Sequence, residues 1–222
     1  MTTDRPLVDD GLSLPEVGHW SETKYSLITQ YAERFATAMK KKWDSRIYID
    51  LFAGAGYARI KHSAKIVETS SFLALGVRHP FDRYVLCEKD AENSTSLGER
   101  IGRHRLASCV NIIRGACNAS VERILAAVPR GSQSHKVLSF CVVDPFGLSD
   151  LRFATLEGLS ERFMDFLILI PSYMDAHRNL DRYIAPANRA VADFTGDENW
   201  RLAWQGTIDQ RRPRVPVRRA WG

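Results

Sequence analysis

Residues 137–143 read Val-Leu-Ser-Phe-Cys-Val-Val, and nothing in that run alternates with the two-residue period of a strand that has one wet face. A strand apolar on both sides belongs inside a sheet covered by helices on each face, and the usual solution is parallel strands joined by helical crossovers. Similar short runs lie near 46–51, 83–88, 110–114 and 165–170, with helix-like segments such as "AENSTSLGERIGRH" and "NASVERILAAVPR" between them. The pattern predicts an α/β fold with a doubly wound, mostly parallel, Rossmann-like sheet.

A helix precedes the first of these strands. Tyr25, Ile28, Tyr31, Ala32, Phe35 and Met39 recur at three- and four-residue steps, the spacing of a helix with one buried face. Ser21 is placed to cap it, Trp20 and Tyr25 to form a hydrophobic staple across the cap, and Lys40, Lys41 and Lys42 to meet the negative end of its dipole.

The 222-residue chain, 45% hydrophobic and 26% charged, is long enough for a sizeable buried core. The net charge of +5 is local: residues 201–222 hold six arginines and one acid, which leaves residues 1–200 neutral. The expected division is a flexible amino terminus over 1–17, an α/β domain over 18–205, and an irregular Arg/Pro tail over 206–222. In that tail Arg211, Arg212, Arg214, Arg218 and Arg219 suit contact with the phosphates of a nucleic acid. No apolar run reaches the roughly 18 to 20 residues needed to cross a bilayer, and the start "MTTDRPLVDDG" lacks a signal pattern, so a cytoplasmic protein without a membrane partner is expected. Cys87, Cys109, Cys117 and Cys141 show no close pairing in sequence and read as reduced core thiols, with no metal site.

The chemistry gathers at strand ends. In "YIDLFAGAGY" Asp50 closes the first strand, and Gly54 and Gly56 follow in a loop where a side chain would obstruct backbone turns and close approach. Ligands of open parallel sheets bind at this end of the strands. A third glycine, needed for the dinucleotide fingerprint, is missing, and the next helix begins only near Ser70. Glu88 closes the second strand, where a carboxylate can accept the hydroxyls of a ribose. This combination of strand-end acids and a G-x-G loop resembles S-adenosylmethionine-dependent methyltransferases of the doubly wound class. "CVVDPFG" is similar to their amino-directed D-P-P-aromatic signature, in which an acid and an aromatic ring aim an amine at the methyl donor. The bland alternative is that Asp144-Pro145 merely starts a turn.

Taken together, "HWSETKYSLITQY", "RIYIDLFAGAGY", "GACN", "VVDPFGL" and "DFLILIPS" resemble the three-cysteine-motif partner (TcmP) family over roughly Gly18 to Trp200. The resemblance implies a class I methyltransferase fold, S-adenosylmethionine as cofactor, and a partner, encoded nearby, whose three-cysteine motif is similar to that of radical S-adenosylmethionine enzymes. Carried over by position, it implies cofactor contacts from Lys24, Asp50, Phe52, Gly54, Gly56, Glu88 and Asn118, and catalytic roles for Asp144, Pro145 and Phe146. The chain departs from the family at Ala116, where an acid is usual, and at Thr69-Ser70-Ser71, where a Gly-Ser-Pro turn is usual. It departs again at its end, where a helix and an antiparallel hairpin would normally follow. Two readings stay open: a methyltransferase acting on an amine or nucleic-acid base, or a non-catalytic subunit that binds the cysteine-motif protein.

Overall fold

A computed structural model describes residues 7–171 and 175–211. In chain order it forms β1 (Glu16–Val17), α1 (Trp20–Met39), β2 (Ser45–Asp50), β3 (Tyr57–Ile60), β4 (Ile66–Glu68), α2 (Ser70–Leu75), β5 (Arg83–Glu88), α3 (Ala91–Gly102), β6 (Val110–Arg114), α4 (Val121–Ala127), β7 (Val137–Val143), α5 (Phe153–Leu159), β8 (Met164–Ile168), α6 (Leu180–Ile184), α7 (Ala190–Thr195) and α8 (Trp200–Arg211). Two compact units emerge, one of Met1–Pro145 with Thr155–Ile170, the other of Phe146–Ala154 with Pro171–Gly222.

The first unit holds a five-stranded, wholly parallel sheet in the order β6-β5-β2-β7-β8, flanked by helices, the doubly wound fold that the apolar runs predict. Every residue of β7 is buried. Side chains alternate across the sheet: Tyr48, Tyr84, Leu86, Phe140 and Val142 face a cluster with Ile28 and Phe35 of α1, Phe72 of α2 and Leu97 of α3. Rings anchor α1 there, with Tyr31 and Phe35 each 5.1 Å from Phe140 between centroids. On the other face α4 packs against β5 and β6, and Ser139 and Cys141 lie on that side by the same alternation.

The segment between β2 and α2 is a small sheet of its own, in the order β1-β3-β4, with β1 parallel and β4 antiparallel to β3. Residues 7–17, expected to be a flexible lead, are instead tied in. The Arg100 guanidinium, buried on α3, donates through Nε and Nη2 to Asp10 at 2.8 and 2.6 Å and through Nη1 to the Ser13 carbonyl at 2.9 Å. A buried guanidinium needs several acceptors, and this segment supplies them.

The start of α1 also differs from expectation. His19 is the residue before the helix, Ser21 is buried within its first turn, and Trp20 is 60% exposed, so neither the cap nor the staple forms. The Ser21 N–H instead bonds the Gly18 carbonyl at 2.9 Å. Lys40, Lys41 and Lys42 follow the helix rather than fill its last turn.

In the second unit Asp175 is a local hub, accepting from the Leu148 N–H at 2.7 Å, the Tyr183 hydroxyl at 2.6 Å and the Asn179 amide at 2.8 Å. Gly196 ends α7 in the left-handed conformation, its N–H bonded to the Ala192 carbonyl. The last helix runs to Arg211, past the boundary expected at residue 205. Arg212, Arg214, Arg218 and Arg219 lie outside the described residues.

Candidate active site

The sheet order reverses at β2, whose neighbours β5 and β7 lead to opposite edges, and the loop after β2 lies across the ends of all three strands. The Leu51 N–H bonds the Val142 carbonyl of β7 at 3.1 Å, and the Ala53 N–H the Cys87 carbonyl of β5 at 3.0 Å. Asp50, Glu88 and Asp144 stand at or just beyond these three strand ends. The switch point is therefore ringed by carboxylates, as the sequence predicts.

Their environments differ. Asp50 has no exposed surface: Oδ1 accepts the Phe52 N–H at 3.0 Å, and Oδ2 accepts the Ser70 hydroxyl at 2.6 Å and the Tyr48 hydroxyl at 3.3 Å. Burial pushes its carboxyl up to about 6, and the charge of Asp144 adds to this, while the Ser70 and Phe52 bonds pull the other way. Asp50 thus works inward, fixing the loop by way of Phe52.

Glu88 is buried at the foot of the same loop. Its Oε2 accepts the Gly54 N–H at 2.8 Å and its Oε1 the Asp90 N–H at 2.7 Å. Each oxygen retains a second lone-pair direction for a ligand hydroxyl.

Both loop glycines have positive φ, 66° at Gly54 and 89° at Gly56, but their surroundings separate their roles. A Cβ on Gly54 would meet nothing nearer than Thr69 Cγ2 at 4.0 Å, whereas one on Gly56 would lie 2.7 Å from the Phe72 ring. Gly56 makes room for a core ring; Gly54 leaves the loop open to approach. The Ala55 carbonyl between them accepts from Arg100 Nη1 at 2.7 Å, so the guanidinium that holds the amino-terminal segment also holds this loop.

The hydroxyls of Thr69, Ser70 and Ser71 bind the loop and do not cap α2. Ser70 bonds Asp50, and Thr69 and Ser71 both reach the Ala53 carbonyl, at 3.4 and 3.1 Å. The small β3–β4 sheet folds these residues back onto the loop, and the Thr69 N–H closes on the Gly56 carbonyl at 2.8 Å.

Lys24, one turn into α1, projects over the end of β7, and its Nζ lies 2.6 Å from Asp144 Oδ2. Asn118 Oδ1 accepts the Thr155 hydroxyl at 2.7 Å. Phe52 is half-buried in the loop, and Pro145 carries the chain to Phe146, whose ring is 78% exposed. The roles of Tyr48, Ser70 and Arg100 at the loop escaped the sequence reading. Only Tyr48 left a signal, since it lies two residues before Asp50 on one strand and so shares its face.

No protein-family model matches the chain, and no curated protein does. Among solved structures it is similar to a conserved hypothetical protein of Streptococcus pyogenes, at 15% identity and a TM-score of 0.37, over 59% of this chain and 69% of the other. It is also similar to a protein of the family DUF519 from Legionella pneumophila, at 12% identity and a TM-score of 0.42, over 62% of this chain and 61% of the other. No helix of the described residues is long and apolar enough to cross a membrane.

Proposed function

We propose that this chain is an S-adenosylmethionine-dependent methyltransferase of the class I type, acting on an amine or a nucleic-acid base. The observation that carries the reading is the placement of Asp50, Glu88 and Asp144 at the carboxyl ends of three adjacent parallel strands, with the Gly54 loop lying across those ends and bonded to Glu88. The residues fit such a cofactor unequally. Glu88 has lone pairs to spare for ribose hydroxyls, and Gly54 admits close backbone approach. Asp50, having no surface, holds the loop in place rather than touching a ligand. Bound there, S-adenosylmethionine supplies an electrophilic methyl group. Asp144 offers acceptor oxygens for an amine N–H, Pro145 stiffens the turn behind it, and the exposed ring of Phe146 is accessible to a planar acceptor.

The Lys24–Asp144 ion pair favours a second reading. An ammonium already sits where an acceptor amine would bond, which suits a non-catalytic subunit that binds a three-cysteine-motif protein and uses the pair to rigidify its surface.

Calorimetry with S-adenosylmethionine, followed by labelled-methyl transfer to host nucleic acid and protein with and without the cysteine-motif protein, tests both. Methyltransferase function requires saturable binding that weakens by about 1 to 3 kcal/mol in Glu88→Gln, and transfer that stops in Asp144→Asn. Binding without transfer in either setting leaves the subunit reading, and absence of binding removes the cofactor assignment.

A further inference from the structure

A cavity of about 510 Å3 lies at the opposite, amino end of the strands, a volume ordinary for small-molecule sites. Its wall includes Trp43 before β2, Ser139 on β7, and Arg162 and Phe163 before β8. Two polar atoms in that wall are buried and lack a hydrogen-bond partner: the hydroxyl of Ser139, a fully buried residue, and Nε of Arg162. Nε is only ever a donor, and a hydroxyl can donate, so both call for an acceptor that the protein does not provide. Arg130 and Lys136 bring two further cations to the wall and Glu161 the one acid. No carboxylate among the described residues pairs with Arg130, Lys136 or Arg162. Beside these donors the rings of Trp43 and Phe163 stand with centroids 5.7 Å apart and planes inclined by 55°, Phe163 being largely exposed.

We propose that this cavity binds a phosphate ester that carries a planar aromatic ring, of nucleoside-monophosphate size. Its phosphate accepts from Ser139 Oγ and Arg162 Nε within reach of Arg130 and Lys136, and its ring packs against Trp43 and Phe163. Three cations against one acid suit a dianion better than a single carboxylate, and exposed aromatic surface next to a cationic wall suits a planar base. The site is separate from the glycine loop and does not depend on the methyltransferase reading.

Titration calorimetry of the full chain with adenosine 5′-monophosphate, and with adenosine and inorganic phosphate as separate arms, tests it. One-to-one saturable binding of the nucleotide is expected, with each fragment at least about tenfold weaker. Arg162→Gln and Trp43→Leu should each weaken the nucleotide by about tenfold and Ser139→Ala by a smaller factor, with thermal melts showing that the variants fold. Glu88→Gln, at the glycine loop, should leave the affinity within about twofold. Absence of saturable binding at millimolar nucleotide overturns the proposal. So does binding that falls in Glu88→Gln and not in Arg162→Gln or Trp43→Leu, because the nucleotide would then occupy the glycine-loop site.

Discussion

Lys24 Nζ and Asp144 Oδ2 approach to 2.6 Å across 120 residues of sequence, with side chains only 15% and 18% exposed. The pair fastens the first turns of α1 to the end of β7, beside the strand end that closes on Asp50. Partial burial raises the value of such a pair above that of a surface bridge, and it raises the cost of stranding one partner.

Lys24→Met should therefore destabilise the chain by about 1 to 3 kcal/mol, by leaving the Asp144 carboxylate without its cation. Adding Asp144→Asn should restore part of the loss, with a coupling of about 1 kcal/mol or more in a double-mutant cycle measured by urea unfolding. Strictly additive losses would mean that the contact contributes nothing to folding.

The two glycines of the loop should respond in opposite ways. Gly56→Ala combines a positive φ with a collision against the Phe72 ring and should cost about 2 to 4 kcal/mol. Gly54→Ala meets open space, so only the backbone term of about 1 to 2 kcal/mol remains. If the loop faces a cofactor at Gly54, this milder variant is the one that loses S-adenosylmethionine affinity. Equal stability losses in the two variants would contradict the packing role given to Gly56.

Asp50 makes stability depend on pH with an unusual sign. In the unfolded chain its carboxyl loses the proton near 3.8, and in the folded chain near 6. Between those values the folded state holds a proton that the unfolded state has released, so this group's contribution falls as pH rises through the window and is level above it. The full effect is about 2 to 3 kcal/mol. Asp50→Asn keeps an acceptor for Phe52 and a polar partner for Ser70 while abolishing the charge, and it should gain on the parent chain from pH 4 to pH 7. Urea midpoints of both proteins across that range decide it; parallel curves would show that Asp50 is not penalised by burial.

The parts of this architecture that were legible in sequence are those set by local pattern. The unbroken apolar run of β7 and the strand-end acids Asp50 and Glu88 could be placed because periodicity and turn chemistry act over a few residues. The partners of those acids could not. Ser70 reaches Asp50 only because β3 and β4 fold a twenty-residue excursion back on itself, and the same hydroxyl reads locally as a helix cap. Ser21 fails as a cap for a related reason. The helix starts two residues earlier, at Trp20, whose side chain is left largely exposed, which no spacing rule reveals.

Arg100 joins two of the features that sequence reading treated as separate, the amino-terminal segment and the glycine loop. Its guanidinium engages both Asp10 oxygens and the Ser13 and Ala55 carbonyls and lies 4.7 Å from the centre of the Tyr57 ring, a set of contacts that needs a planar fork. Arg100→Lys keeps the charge but cannot meet these acceptors together, and it should cost about 2 to 4 kcal/mol. Hydrogen exchange would rise in residues 9–17 and around Ala55 at the same time, because one side chain holds both. The acid side of the stability curve supplies an independent check. Arg100 holds the Asp10 carboxyl below its ordinary value of 3.8, so the stabilisation is present at neutral pH and is lost as pH falls and Asp10 takes up its proton. In Arg100→Lys that acid-side loss should be shallower than in the parent chain. An unchanged acid limb, or protection lost in residues 9–17 with the loop around Ala55 unaffected, would show that the loop is held by its strand-end bonds alone.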